Sequence, residues 1–183
     1  MGSIKPHIGS YRTLLACRKA EVIYDLTFYF CNKYLNRNDR TIDQMVQAAR
    51  SGKQNIIEGM EASQTSFETL LKLINVARSS LQELLADYED YLRVRNLRLW
   101  ELNSEEVKAM RALGSKYKNN APLIEIAKSR NDEVVANMVI VLIYQANFLL
   151  TRYYAKQYRQ FIENGGFREN LKKERIAYRN KNS

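Results

Sequence analysis

Apolar residues recur at helical spacing along most of the chain, and the clearest run begins near Thr65 and ends near Arg95. Within this run, two rows of apolar residues each repeat every seven positions, offset from one another by three. That spacing places both rows on one face of an α-helix, which another helix must then cover. The first row is Phe67, Ile74, Leu81 and Tyr88, and the second is Leu70, Ala77, Leu84 and Tyr91.

The other periodic segments predict three more long helices and two short ones. Gly59 is a natural stop for the helix before it, since glycine often follows the last turn. Thr65 and Glu68 form a capping-box pattern at the start of the next helix. The long helices are predicted at about 11–36, 40–58, 65–95 and 131–162, and the short ones at about 104–113 and 122–128.

Four long amphipathic helices, with short connections between the first three, predict an all-α protein that is an antiparallel up-down four-helix bundle. The bundle would occupy residues 11–163, with an irregular helical excursion at 97–130 between the third and fourth long helices. A flexible N-terminus at 1–10 would precede it, and a basic C-terminal tail at 164–183 would follow. We expect the tail to form a helical turn or two, or to stay disordered until it binds.

The charge of the chain is unevenly distributed. There are 29 Lys and Arg residues against 20 Asp and Glu, a formal net charge of +9. From Arg152 to the end, nine basic residues face three glutamates. A basic surplus at one end favours a polyanionic partner, with nucleic acid ahead of an anionic membrane. The alternative is a soluble basic surface that has no specific partner.

The candidate nucleic-acid-binding residues lie in this basic end. Basic side chains neutralise phosphates and tyrosines stack on unpaired bases, so cations mixed with tyrosines favour nucleic-acid binding, RNA or DNA, without sequence preference. In the alternative interpretation the tyrosines complete the apolar seam and the cations are only solvated. The candidates are Arg152, Tyr154, Lys156, Tyr158 and Arg159 in the last long helix, and Arg168, Lys172, Lys173, Arg175 and Arg179 in the tail.

Candidate catalytic chemistry is sparse, because the one histidine, His7, lies near the N-terminus. A histidine base or a di-iron carboxylate site needs histidine within the helices, and no Cys/His cluster offers a zinc site. We therefore expect no enzyme activity, no cofactor and no metal. Cys17 and Cys31 are too far apart along one predicted helix for a disulfide, and we expect both to be reduced.

The sequence also favours a cytoplasmic location away from membranes. No uncharged apolar stretch reaches the roughly 18 residues of a membrane span. The longest candidate, Val134–Leu150, is interrupted by Asn137, Gln145 and Asn147. The N-terminal residues MGSIKPHIGS lack the apolar core of a signal peptide.

Glu58 stands out because it closes an otherwise apolar helix face just before Gly59. A negative charge at a helix C-terminus is mildly unfavourable, which suggests a specific partner. Arg78, in the middle of the next long helix, is the candidate. We therefore predict a structural pair, Glu58–Arg78, that holds the second long helix against the third.

Several motifs resemble a known bacterial family. The runs NIIEG at 55–59, SQTSFETLLKL at 63–73 and NVARSSLQELL at 75–85 resemble four-helix-bundle proteins first noticed in intervening sequences of large-subunit ribosomal RNA genes. The retroelement accessory variability determinant belongs to the same superfamily. A subgroup with a four helix bundle suffix domain is similar further along, in NMVIVLIYQANFLLTRYY at 137–154 and GGFRENL at 165–171.

This resemblance implies a ring-like homo-oligomer, typically a pentamer, with a basic surface and no catalytic activity. In the retroelement relatives, that surface binds nucleic acid and a reverse transcriptase. Resemblance and charge together predict a non-enzymatic, oligomeric nucleic-acid-binding accessory protein whose partner is a reverse transcriptase or RNA. The alternative is a protein–protein scaffold or adaptor whose basic tail docks an acidic partner protein.

Overall fold

The computed structural model of the protein describes residues 15–63, 65–116, 121–164 and 167–181. Helix makes up 86% of these residues and no strand occurs among them, so the predicted all-α class is confirmed. The helices are α1 (Leu15–Tyr34), α2 (Thr41–Ala62), α3 (Phe67–Val94), α4 (Glu105–Lys116), α5 (Ala121–Lys128), α6 (Asp132–Asn164) and α7 (Phe167–Lys181).

Helices α2 and α3 pack closely and run in opposite directions. A Cβ atom added to Gly52 would lie 2.9 Å from Cδ2 of Leu81, and one added to Gly59 would lie 3.3 Å from Cβ of Leu73. Gly59, the later glycine in α2, therefore faces Leu73, the earlier leucine in α3. Both glycines allow this close approach because they carry no side chain at the contact.

Helices α1 and α6 also run in opposite directions. In the first half of α1, the Lys19 ammonium donates to Oε1 of Gln145 at 2.7 Å. At the end of α1, the Tyr34 hydroxyl donates to the carbonyl of Arg130, just before α6, at 2.7 Å. Because α1 also packs on α2, and α3 on α6, each of these four long helices contacts two others.

The core follows the two heptad rows of α3. Seven of their eight residues are buried, as the spacing predicts. The eighth, Phe67, is half-buried and stacks on Phe161 of α6 with ring centroids 4.6 Å apart. At the other end of α3, the Tyr91 hydroxyl donates to the Asp132 carboxylate at 2.8 Å. These two contacts align α3 and α6 antiparallel over nearly their whole length.

Nine consecutive residues of α6, from 135 to 143, are all buried, so this stretch is enclosed on all sides. Helices α1, α3 and α4 pack against it. The extended segment after α3 is attached to it by the buried amide of Asn137. That amide accepts from the backbone N–H of Trp100 at 2.8 Å and donates to the carbonyls of Arg98 and Glu133 at 2.8 and 2.9 Å. The excursion therefore covers α6 as a second layer.

Helix α6 is also long and apolar enough to cross a membrane, by length and composition alone. Within the protein, 61% of its most apolar window is buried. The core helix of a soluble protein meets the same criterion, because a helix that is hydrophobic all round belongs either in a core or in a bilayer.

Three predicted helix boundaries are wrong. Helix α4 continues through Gly114 to Lys116, beyond the predicted end at 113. Helix α2 continues past Gly59 to Ala62, because Gly59 is buried against α3 and serves close packing instead of helix termination. Helix α3 is capped by Ser66, whose Oγ accepts from the Thr69 N–H at 3.2 Å. The predicted cap, Thr65, instead donates its hydroxyl to the carbonyl of Ala62 at 3.3 Å.

The predicted Glu58–Arg78 pair is also wrong, since it is not among the four ion pairs between described residues. Glu58 is exposed, and Arg78 donates from Nη1 to Oδ1 of Asn75 at 3.4 Å. The helix register gives the reason. Gly59 packs against Leu73, and Arg78 lies five residues further along α3. Glu58 precedes Gly59 and so lies opposite about residue 74, which offsets its Cα atom from that of Arg78 by roughly 6 Å along the axis. Glu58 also projects from α2 about 100° away from the side on which Gly59 meets α3.

Candidate nucleic-acid interface

The cations Arg152, Lys156 and Arg159 lie exposed on the C-terminal half of α6. At 3.6 residues per turn they fall within about 60° of one another, on one face. The Arg152 guanidinium lies 5.7 Å from the ring centroid of Phe148, which is itself exposed. None of the four ion pairs between described residues involves these cations, so their charge faces solvent.

Tyr154 and Tyr158 lie on roughly the opposite side of α6 from these cations, by the same helical geometry. Their rings stack on each other, with centroids 6.4 Å apart and planes 7° apart. Tyr154 is half-buried against the core, whereas Tyr158 is 50% exposed. The cations and tyrosines alternate in sequence, but the structure separates them in space.

Most of the C-terminal tail forms the 15-residue helix α7, which is longer than the predicted turn or two. Its register aligns four predicted cations on one stripe with spacings of four, three and four residues. This stripe extends about 16 Å along the helix axis. Where side chains are described, those of Lys172, Arg175 and Arg179 are exposed. Lys173 falls outside the stripe, whose members are Arg168, Lys172, Arg175 and Arg179.

The described side chains of α7 are all exposed, including its apolar ones. Leu171, Ile176 and Tyr178 are 36%, 49% and 72% accessible. Helices in folded proteins normally bury their apolar residues. Helix α7 therefore presents Lys172, Arg175 and Arg179 at the surface together with its apolar residues.

The candidate catalytic groups considered from the sequence are one histidine and two cysteines. His7 lies outside the described residues. Among those residues, no group of three or more His, Cys, Asp or Glu side chains could hold a metal ion. Cys17 and Cys31 are free and buried, as predicted. Burial raises the pKa of Cys17 to about 11 and the pKa of Cys31 to about 12, so neither is a thiolate nucleophile at neutral pH.

Sequence reasoning missed an exposed aromatic surface on α1. Phe28 is 53% exposed and stacks with half-buried Tyr24, with ring centroids 6.5 Å apart. A signal existed in the sequence, because Phe28 lies on the opposite side of this helix from its buried apolar residues, which are Val22, Ile23, Leu26 and Phe30. An aromatic residue outside the buried stripe is a candidate for surface recognition.

No family model, curated protein or solved structure matches the chain. The family resemblance of its motifs therefore remains an expectation. Among the described residues, the basic stripes of α6 and α7 and the aromatic surface of α1 are the features that bear on function.

Proposed function

We propose that the protein is a non-enzymatic, oligomeric nucleic-acid-binding accessory protein that works in the cytoplasm. The observation that carries this proposal is the alignment of exposed cations, which is present on two consecutive helices. On α6 the aligned residues are Arg152, Lys156 and Arg159, and α7 adds the Lys172, Arg175 and Arg179 side chains. Aligned cations suit a ligand whose negative charges repeat along a line, as phosphates do.

Binding would be driven mainly by the release of counterions from the phosphates. Each phosphate that a cation neutralises frees condensed counterions, so affinity falls steeply as salt is added. The two stripes carry no base-reading geometry of their own, since phosphate contacts position a protein without reading sequence. We therefore propose that recognition by these stripes is non-specific.

We also propose that α1, α2, α3 and α6 form an antiparallel up-down four-helix bundle that assembles into a homo-oligomer, with a pentamer as the expected size. Antiparallel contacts between successive neighbours support the bundle. Exposed apolar side chains along the outer face of α6 support assembly: Tyr144, Phe148 and Ile162 are 44%, 61% and 65% accessible. Apolar residues that recur on one exposed face favour a protein–protein contact. The reverse transcriptase partner rests on the family resemblance alone.

Fluorescence anisotropy with labelled single-stranded and double-stranded RNA and DNA tests the proposal. We expect binding at about 50 mM salt that weakens steeply by about 200 mM. The triple substitution Lys172→Ala, Arg175→Ala, Arg179→Ala removes three phosphate contacts. It should lower the slope of log affinity against log salt by about two to three.

A matched control removes the same number of charges elsewhere on the surface. Arg93, Lys108 and Lys128 are exposed, and each forms an ion pair with a carboxylate on its own helix. Replacing all three with alanine changes the net charge equally but should leave the salt slope unchanged. If both triple variants lower the slope equally, binding depends on net charge and the stripes have no special role. If no nucleic acid binds at low salt, the proposed function is wrong.

An adaptor that docks an acidic protein is the second candidate, and the exposed apolar residues of α7 favour it. An amphipathic helix that displays Leu171 and Tyr178 beside cations suits a groove with an acidic rim. Substitution of these two residues with serine separates the candidates. Phosphate binding should survive the change, whereas docking into an apolar groove should be lost.

A further inference from the structure

Helix α1 carries an open groove of about 700 Å³ that the proposed function does not use. This size falls within the roughly 300–1,000 Å³ that small-molecule sites occupy. Three aromatic rings, one carboxylate and one amide make up most of its lining, and Ile124 of α5 contributes one wall. The lining residues are Tyr24, Asp25, Phe28, Tyr29, Asn32 and Ile124.

Two lysines hold positive charge directly against the aromatic rings beside this groove. The Lys53 ammonium of α2 lies 4.2 Å from the ring centroid of Tyr24. The Lys33 ammonium lies 5.2 and 5.1 Å from the ring centroids of Tyr29 and Tyr34, and it donates to the Tyr29 hydroxyl at 2.7 Å. These contacts, the hydrogen bond to Tyr29 first among them, raise the pKa of Lys33, so it stays charged. Exposed π-surface and cations therefore occur together.

We propose that this groove stacks the unpaired bases of a single-stranded nucleic acid, with the ring of Phe28 as the platform and Lys33 and Lys53 beside the phosphates. The proposal rests on the proposed function and narrows its ligand from any polyanion to a single strand. Aromatic platforms with flanking cations are how proteins bind single strands without reading sequence, because every base has a π-face. A duplex keeps its bases stacked and paired and cannot use such a platform.

The positive charge of the two lysines favours a nucleic-acid base over the other ligands that could bind an exposed aromatic groove. A second copy of this chain or an apolar peptide would use the rings but would gain nothing from lysines held at both ends. A base that is linked to a phosphate would contact both the rings, through the base, and the lysines, through the phosphate. Phe28 and the cation Arg152 are also well separated: the pairing of Lys19 with Gln145 and of Tyr34 with Arg130 places them roughly 24 Å apart along the axis of α6.

Substitutions at Phe28 test the proposal in the full-length protein, because its ring is 53% exposed and contributes little to the core. Phe28→Leu keeps an apolar side chain but removes the ring, and Phe28→Tyr keeps the ring. Affinity is measured by anisotropy for an unstructured RNA of about 12 nucleotides. Phe28→Leu should weaken binding roughly 5- to 150-fold per stacked base, while Phe28→Tyr should bind like wild type.

An abasic strand of the same length, with the same phosphates and no bases, is the matched ligand. Its affinity should be lower than that of the RNA for the wild-type protein and insensitive to Phe28→Leu. The control Leu102→Ala removes an apolar side chain that is 59% exposed elsewhere and should have no effect. Sedimentation velocity checks that Phe28→Leu leaves the size of the assembly unchanged.

The outcomes separate this inference from the function on which it rests. If RNA and abasic strand bind equally well, with a steep salt dependence and no effect of Phe28→Leu, the base platform is refuted while phosphate binding stands. If Phe28→Leu changes the assembly size and leaves RNA affinity intact, the groove binds a second copy and the inference is wrong. If neither strand binds at low salt, the proposed function fails, and the inference fails with it.

Discussion

The contact between Gly52 and Leu81 gives the most sharply defined prediction about stability. Replacing Gly52 with alanine adds one methyl group at a point 2.9 Å from both Cγ and Cδ2 of Leu81. Leu81 is fully buried, so it has little room to move. Alanine is favoured over glycine inside a helix by about 1 kcal/mol, whereas overpacking a core costs about 1–3 kcal/mol. We expect Gly52→Ala to be destabilised by about 1 kcal/mol.

Gly59 provides the matched control, because it lies on the same helix and faces the same partner seven residues later. Its added methyl group would meet Cβ of Leu73 at 3.3 Å, so α2 and α3 would have to separate by only a few tenths of an ångström, less than at Gly52. The helix propensity gain should then dominate. We expect Gly59→Ala to be as stable as wild type or up to about 1 kcal/mol more stable. Urea denaturation followed by circular dichroism measures both values.

A double-mutant cycle tests the cause directly. Leu81→Ala alone should cost about 2–5 kcal/mol, because it leaves a cavity. It also removes the two atoms that the Gly52→Ala methyl group would meet. The double variant should therefore be more stable than the sum of the single effects by about 1–2 kcal/mol. Additivity within about 0.5 kcal/mol, or equal effects at Gly52 and Gly59, would refute the close-packing argument.

Three further predictions concern other parts of the fold. Asn137→Ala should lower the free energy of unfolding by about 2–4 kcal/mol, because it leaves backbone groups unpaired. Hydrogen exchange of the backbone amides in the segment after α3 should then accelerate, and unchanged exchange would contradict the prediction. Above pH 9, stability should fall, because Cys17 and Cys31 ionise in the unfolded chain but have raised pKa values when folded. The loss should reach about 3 kcal/mol near pH 10 and shrink when both are alanine, as chemical denaturation at each pH can show. Ser66→Ala should cost about 1 kcal/mol and Thr65→Ala much less in thermal melts, and the reverse order would disprove the observed cap.

Helix content and core were largely predictable because periodicity carries that information. The rows of α3 were predicted correctly at seven of eight positions. Helix ends were less predictable, since a terminating glycine and a packing glycine look alike in sequence. The sequence favours Gly59 as a terminating glycine, and only its proximity to Leu73 shows that it is a packing glycine.

Long-range polar contacts were not predictable, because they depend on the register between helices. The Glu58–Arg78 pair failed for this reason. Conversely, Asn137 was noted only as an interruption of an apolar run, yet it binds three backbone groups. At the candidate interface, by contrast, the sequence identifies the cations, and helical spacing alone is enough to place Tyr154 and Tyr158 on the other side of α6.

Helix α6 runs without a break from its enclosed stretch at 135–143 to the exposed cations Arg152, Lys156 and Arg159. The direction in which these cations point therefore depends on the number of residues between the two parts. A residue inserted between Leu150 and Arg152 would turn everything after it by about 100° and advance it by about 1.5 Å. The enclosed stretch from 135 to 143 would be unaffected. Insertions and deletions in this one turn would therefore rotate the cations around the molecule at the expense of the contacts that Tyr154 and Phe161 make after it. The direction of the basic face is thus coupled to the packing of those two rings, which favours its retention in this orientation.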